Sequence, residues 1–252
     1  MTAIVGVLCD DGVVIGTDSS ATFTAGTFPT IEQVTEKIAI VEDAVIIAGT
    51  GSIGLGQRFT EIVKAAWKAS KFKGDAFSAA RHLTKTTIDD FSATYVQTGK
   101  YGALAAFSCN QKPVLCEFES ASFQPEFKTE KLWYVSMGSS QPITDPFLAF
   151  IRNVYWGGGP PSVYDAVFAI TWALDHAIEI NPGGVNGPVQ MAVLEKIGAA
   201  YKARMLPDDE LQEHRQNIDA AKEVLRQHRT KQTAPAEAVE VPSASDGTTS
   251  SS

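Results

Sequence analysis

The sequence predicts an α+β fold: a four-layer αββα sandwich of two antiparallel sheets, each flanked on its outer side by a helix pair. Three observations lead there. Short β-rich segments come in clusters and do not alternate singly with helices. Between the clusters the apolar residues switch to helical spacing, in pairs of segments. An Asp-Gly turn at Asp11-Gly12 joins the first two strands, a strong hairpin signal that makes neighbours antiparallel. Stacking the two sheets with helices outside buries every apolar face that this order creates.

The elements follow in turn. Ala3–Leu8 and Val13–Thr17 form the opening hairpin, and Ser20–Gln33, rich in Thr, Gly, Phe and Pro, reads as a loop. Lys37–Val41 and Ala44–Ala48 make a second hairpin, with Glu42-Asp43 as its turn. Phe59, Ile62, Val63, Ala66 and Trp67 mark a helix within Leu55–Ala69. Asp75 caps a second helix carrying Phe77, Ala80, Leu83, Ile88, Phe91 and Tyr95, and Gly99 ends it. Strands return at Tyr101–Cys109, Val114–Ser120 and Lys131–Met137, followed by helices at about Thr144–Val154 and Ser162–Ile180. The connection Gly157-Gly158-Gly159-Pro160-Pro161 separates those two helices. Val189–Leu194 is the last strand. The domain ends near residue 206; a charged helix spans 207–229 and packs by one edge through its sparse apolar positions, Leu211, Ile218 and Val224-Leu225. The Thr-, Ser-, Ala- and Pro-rich stretch 230–252 is expected to be disordered.

Composition excludes several classes. The chain has 252 residues, 44% of them hydrophobic, and 21 basic against 29 acidic residues give a net charge of -8. That balance argues against nonspecific binding to nucleic acid or to anionic membrane, which needs clustered Lys and Arg. Cys9, Cys109 and Cys116 are odd in number and form no CxxC pair, so they predict no disulfide framework and no metal site; they suit small fillers in a reduced, cytoplasmic protein. His82, His176, His214 and His228 have no ligand spacing, and Trp67, Trp133, Trp156 and Trp172 read as core or interface residues. No apolar run reaches the length of a membrane helix, and no secretory signal is visible.

Gly49-Thr50-Gly51-Ser52-Ile53-Gly54 imitates a dinucleotide-binding GxGxxG. Its strand, however, belongs to a hairpin, and its helix leads into another helix, so the parallel strand and acidic residue of a nucleotide site are missing. A strand-to-helix turn with free backbone N–H groups serves an oxyanion equally well.

Met1-Thr2 carries the chemistry. A small residue after Met invites Met removal, which leaves Thr2 with a hydroxyl nucleophile and its own base, an α-amine of pKa roughly 7.7–8.0. The hairpin returns Asp18 beside Thr2, and Lys37 opens the third strand. A lysine ammonium there holds the amine neutral and polarises the hydroxyl, and Asp18 anchors that lysine. Alone, Asp18 would be a turn residue and Lys37 a solvated strand end.

Thr2-Ala3-Ile4-Val5-Gly6-Val7, then Asp11-Gly12-Val13-Val14 and Gly16-Thr17-Asp18-Ser19, resemble the N-terminal signature of proteasome β-type subunits and their bacterial relatives of the HslV-like branch. The resemblance covers about Thr2 to Leu194 and looks closest, among bacterial forms, to the betaproteobacterial proteasome homologue. It implies the N-terminal-nucleophile hydrolase fold and a catalytic set of Thr2, Asp18, Lys37, Ser139 and Glu179, with Gly49 as the oxyanion-hole donor. Ser139 comes from Met137-Gly138-Ser139-Ser140, similar to the family's Gly-Ser-Gly; Glu179 comes from Ala173–Glu179, where the family usually has Asp. Pro182 stands where the family often has Ser. Substrate would bind between Ala21-Thr22 and Gly49-Thr50-Gly51, with Ala39 and Ile47 lining a side-chain pocket.

The resemblance further implies a threonine-type endopeptidase without cofactor, in a homo-oligomeric double ring acting on peptides or unfolded protein; no partner unfoldase is identified. Three other readings use the same residues: a silent ring scaffold with a blocked N-terminus, an amidase for small amides, and the nucleotide-binding protein that the glycine-rich turn imitates. Intact mass, substrate profiling and dinucleotide titration separate them.

Overall fold

Two five-stranded antiparallel sheets lie face to face, each covered outside by helices. The computed structural model describes residues 2–25, 28–97, 99–156, 158–181 and 184–233. The first sheet runs β10 (Tyr134–Met137), β1 (Ile4–Leu8), β2 (Gly12–Thr17), β11 (Gln190–Ile197) and β12 (Ala200–Met205). The second runs β5 (Ile38–Val41), β6 (Val45–Gly51), β7 (Tyr101–Cys109), β8 (Lys112–Phe118) and β9 (Pro125–Phe127). Helices α1 (Ile53–Lys68) and α2 (Ala76–Ala93) cover the second sheet; α3 (Gln141–Tyr155) and α4 (Val163–Ile180) cover the first, and α5 (Asp208–Thr233) packs on α4.

The strands bury both faces, so they read as apolar runs and not as alternations. Between the sheets lie Ile4, Ile15, Ile46, Leu104 and Leu115. Their neighbours Val5, Val14 and Val193 point the other way, onto Ile170 and Leu174 of α4, while Val45 and Phe107 meet Phe59 and Leu83 of the opposite helix pair. Each fully buried side chain of this size contributes about 1.5–3 kcal/mol. Local signals set the ends: Asp75 accepts a hydrogen bond from the Ser78 amide at 2.9 Å, and Ser162 from that of Asp165 at 3.1 Å, each capping a helix N-terminus.

Several expectations need correction. The predicted loop Ser20–Gln33 contains a two-stranded ribbon, β3 (Ser20–Ala25) with β4 (Phe28–Val34). Its Thr and Phe content suits strands, but turn residues in the same stretch hid the pattern. Val189–Leu194 is not the last strand: β12 follows, an edge strand whose Arg204 pairs with Glu195 on the neighbouring strand and with Glu210 of α5. Strand β9 was not foreseen either, and β10 begins at Tyr134, later than Lys131. The second helix stops at Ala93, before Gly99. Helix α5 continues to Thr233, past the expected start of the tail, and buries Leu211, His214 and Ile218 on one edge. Residues 234–252 of the expected tail, and Met1, Gly157 and Pro182, lie outside the described residues.

All three cysteines are buried, and burial pushes the Cys116 thiol up to about 12. Trp133 and Trp172 are core residues. Among the described residues no helix is long and apolar enough to cross a membrane, and no cluster of His, Cys, Asp and Glu could hold a metal ion.

Candidate active site

The β1–β2 hairpin sets one corner of the site. Its register pairs Ile4 with Thr17, which brings Thr2-Ala3 alongside Asp18. The Asp18 amide donates to the Ala3 carbonyl at 3.1 Å, and the Ala3 amide donates back to Asp18 Oδ1 at 2.8 Å. Asp18 is fully buried. It also accepts from the Ser20 amide at 3.0 Å and from Lys37 Nζ at 2.7 Å. A buried carboxylate with a cation and two amides is one of the few ways a charge survives desolvation.

Lys37 stands just before β5, at the mouth of the gap between the sheets. Its amide donates to Gln190 Oε1 at 2.9 Å, and Gln190 Nε2 donates to the Thr35 carbonyl at 2.6 Å, so the first residue of β11 fixes the entry to β5. Burial pulls the Lys37 ammonium below its ordinary pKa, opposed by Asp18 and then by Glu32. Since Oδ1 of one carboxylate holds both Lys37 Nζ and the Ala3 amide, the cation sits within one residue of Thr2.

The turn from β10 into α3 supplies the other side. The Thr2 nitrogen donates to Ser139 Oγ at 3.1 Å, while the Ser139 hydroxyl and the Ser140 amide reach the Thr2 carbonyl at 3.4 Å each. Gly138 makes this approach possible: its φ is +92°, and a Cβ there would overlap the Thr2 carbonyl oxygen. Gly138→Ala is therefore expected to displace Thr2. Melting should show a loss of about 1–3 kcal/mol; unchanged stability would contradict the overlap between a Cβ at this position and the Thr2 carbonyl.

Thr2, Lys37, Gly49 and Ser139 open onto one cleft of about 1160 Å³, which Ala21, Thr22, Ala39, Ile47 and Gly51 also line. Pairing of β5 with β6 stops at Ile38 and Ala48, so the β6 edge from Gly49 onward has no β5 partner. Ala21 and Thr22 belong to the β3 ribbon across the cleft.

Glu179 is not brought to this site. It is exposed in the last turn of α4 and does not line the cleft. The nearby side chain that does reach the serine turn is Asn181, whose Nδ2 donates to Ser140 Oγ at 3.3 Å. Sequence reasoning also missed Glu32, which accepts from the Ser20 hydroxyl and from Asn186 and is held below the usual carboxylate range by those bonds, with Lys37 adding to the effect. Gln190, Asn181 and Glu32 carry no local motif; only strand pairing brings them here.

A hydroxyl residue heading the first strand of a stacked antiparallel sandwich, facing a cleft with a buried lysine–carboxylate pair, is the architecture of the N-terminal-nucleophile class. The proteasome subunit family matches residues 2–148, and the chain belongs to that family. Among solved structures it is similar to a mutant of Anbu from Hyphomicrobium sp. strain MC1, with a TM-score of 0.70 at 12% identity, covering 92% of this chain and 99% of the other. It is also similar to Anbu, described as an ancestral β-subunit, from Yersinia bercovieri, with a TM-score of 0.68 at 12% identity over 88% of this chain and 95% of the other. At that identity these two speak to the fold. No curated protein matches the sequence significantly.

Proposed function

We propose that the chain is a threonine-type peptidase subunit that acts after loss of Met1, through an acyl ester on Thr2. The observation that carries this reading is the buried Asp18–Lys37 pair, 2.7 Å apart, joined to the Thr2 backbone through Ala3 and faced by Ser139 on the Thr2 nitrogen. With Met1 gone, that nitrogen is an amine. It takes the Thr2 hydroxyl proton as Oγ1 attacks the peptide carbonyl, then passes it to the leaving amine. Lys37 keeps the amine neutral by charge repulsion and stabilises negative charge on Oγ1. Asp18 holds Lys37 in place and keeps it cationic. The Gly49 amide is assigned to the tetrahedral oxyanion, and Ser139 orients the amine. Water then cleaves the ester by the same proton path.

The substrate is an extended peptide laid between β3 and the unpaired edge of β6, bound by main-chain pairing. The family and the Anbu neighbours support assembly of several copies, and we infer a homo-oligomeric ring particle with its clefts inside.

The test is treatment of the full chain with a peptide epoxyketone followed by mass mapping. The reagent needs a hydroxyl and a free amine on one residue. The expected product is a single adduct on a peptide that begins at Thr2. Retained Met1 and no adduct would favour a scaffold subunit and overturn the peptidase reading.

A further inference from the structure

Tyr101 heads β7, opposite Gly51 of β6. From there its side chain reaches back along the helix-covered face of the sheet to Gly49, where a Cβ would overlap the hydroxyl. Gly56 of α1 closes the slot from the other side; a Cβ there would stand 3.4 Å from the ring edge and 3.7 Å from the hydroxyl. Both glycines and Tyr101 line the cleft. The body of the ring is packed against Phe59, Phe91 and Phe123, with centroids 5.9, 6.2 and 6.1 Å away, which fixes the hydroxyl at the cleft wall. Tyr101 is 5% exposed; its hydroxyl bonds to no described residue and is left to solvent from the cleft. Buried tyrosine hydroxyls ordinarily find a partner.

We propose that Tyr101 determines substrate choice: its hydroxyl is the polar floor of the pocket beside Gly49, and it selects peptides whose residue before the scissile bond carries a side-chain amide, Asn or Gln. The proposal rests on the peptidase reading above and names the substrate class of the same cleft. The pocket walls toward β5 and β6 are Ala39 and Ile47, which offer no hydrogen bonds from their side chains. Burial holds the phenol well above its ordinary pKa, so it stays neutral. A neutral group that both donates and accepts is matched by a neutral amide, which does the same. A hydrocarbon side chain would strand the hydroxyl without water or partner. A carboxylate would be desolvated against a neutral hydroxyl, and the cations that line the cleft, Lys37, Arg58 and Lys64, are already paired with Asp18, Asp90 and Glu61.

The experiment uses peptides that differ only in the residue before the scissile bond, in near-isosteric pairs: Gln against Met, and Asn against Leu. Two measurements are made on the full chain. The first is the amide-to-hydrocarbon ratio of kcat/KM in the wild-type protein and in Tyr101→Phe. The second is the same ratio of affinities, by calorimetry, in Thr2→Ala and in Thr2→Ala combined with Tyr101→Phe, where nothing is cleaved. The wild-type ratio should exceed one and fall on the order of tenfold to a hundredfold on loss of the hydroxyl. A preference for Met and Leu, or the same ratio with and without the hydroxyl, overturns the proposal. The Thr2→Ala affinities alone test the preference if Tyr101→Phe does not fold. An amide preference in binding with no turnover of any peptide would remove the peptidase reading and leave the assignment of Tyr101 standing. Turnover without the preference would do the reverse.

Discussion

Thr2→Ala is expected to abolish peptide hydrolysis while the protein folds and assembles as before. Removing the nucleophile of a peptidase costs on the order of 10⁴-fold or more in kcat, because the remaining groups only position and polarise an atom that is gone. The fold should not feel the change: Thr2 belongs to none of the three core clusters, and its main-chain contacts to Ser139 and Ser140 do not use the side chain. Alanine is also a small residue after Met, so Met1 removal is expected in both proteins, and intact mass checks this. Thr2→Ser restores a hydroxyl and should recover measurable turnover. Hydrolysis by Thr2→Ala at the wild-type rate would sink the mechanism, since no other group in the cleft is assigned to attack the carbonyl.

Asp18→Asn has the second-largest expected effect, and it acts on rate and stability together. The amide can still accept from the Ala3 or Ser20 N–H, but it no longer offers a negative charge to the ammonium 2.7 Å away. Lys37 has a side chain only 9% exposed, so it becomes a buried cation without its main partner. Breaking a buried pair this way costs about 3–5 kcal/mol.

The pH dependence of that loss has a definite sign. Burial already depresses the Lys37 pKa, and Asp18 is the largest influence opposing it, so the substitution depresses it further. Below the folded-state pKa the lysine is charged and the full penalty is felt. As pH rises through that pKa the folded protein releases the proton before the unfolded chain does, and the penalty shrinks. Relative to wild type, the variant should therefore be least stable at neutral and acid pH and recover toward alkaline pH in denaturant titrations. In activity, the alkaline limb of kcat/KM should move to lower pH, and turnover at the optimum should fall by several orders of magnitude. A variant with near wild-type rate and an unmoved alkaline limb would show that the pair is structural only.

The parts of the site legible in the sequence lie in short, locally paired segments. The Asp11-Gly12 turn fixes the first hairpin, and a two-residue error in that turn would have moved Asp18 away from Thr2. Lys37 and Gly49 could be placed because their strands form the next hairpin, one at its start and the other just past its end. Glu179 failed for the opposite reason. Its position depends on how the last turn of α4 leaves the sheet, and Asn181, two residues on, is the side chain that turns inward to Ser140. The β3–β4 ribbon was hidden because Thr, Gly and Pro signal turns as readily as edge strands. Glu32 could not be seen without that ribbon.

What the sequence by itself determined is the layered α+β architecture, its hairpins and a hydroxyl residue at the head of the first strand, because apolar period and turn chemistry act over a few neighbouring residues. What only the tertiary structure decided is which distant side chains meet that residue. Ser139 reaches the Thr2 nitrogen across 137 positions and Gln190 fixes Lys37 across 153, and both depend on β10 and β11 flanking the β1–β2 hairpin in one sheet. The Tyr101 hydroxyl was equally invisible, since its place beside Gly49 follows from the pairing of β6 with β7 and from the absence of a side chain on two glycines. Pairing order is set by how whole sheets bury their faces against each other and against the helices, a cooperative outcome of the packed core that no local window of residues contains.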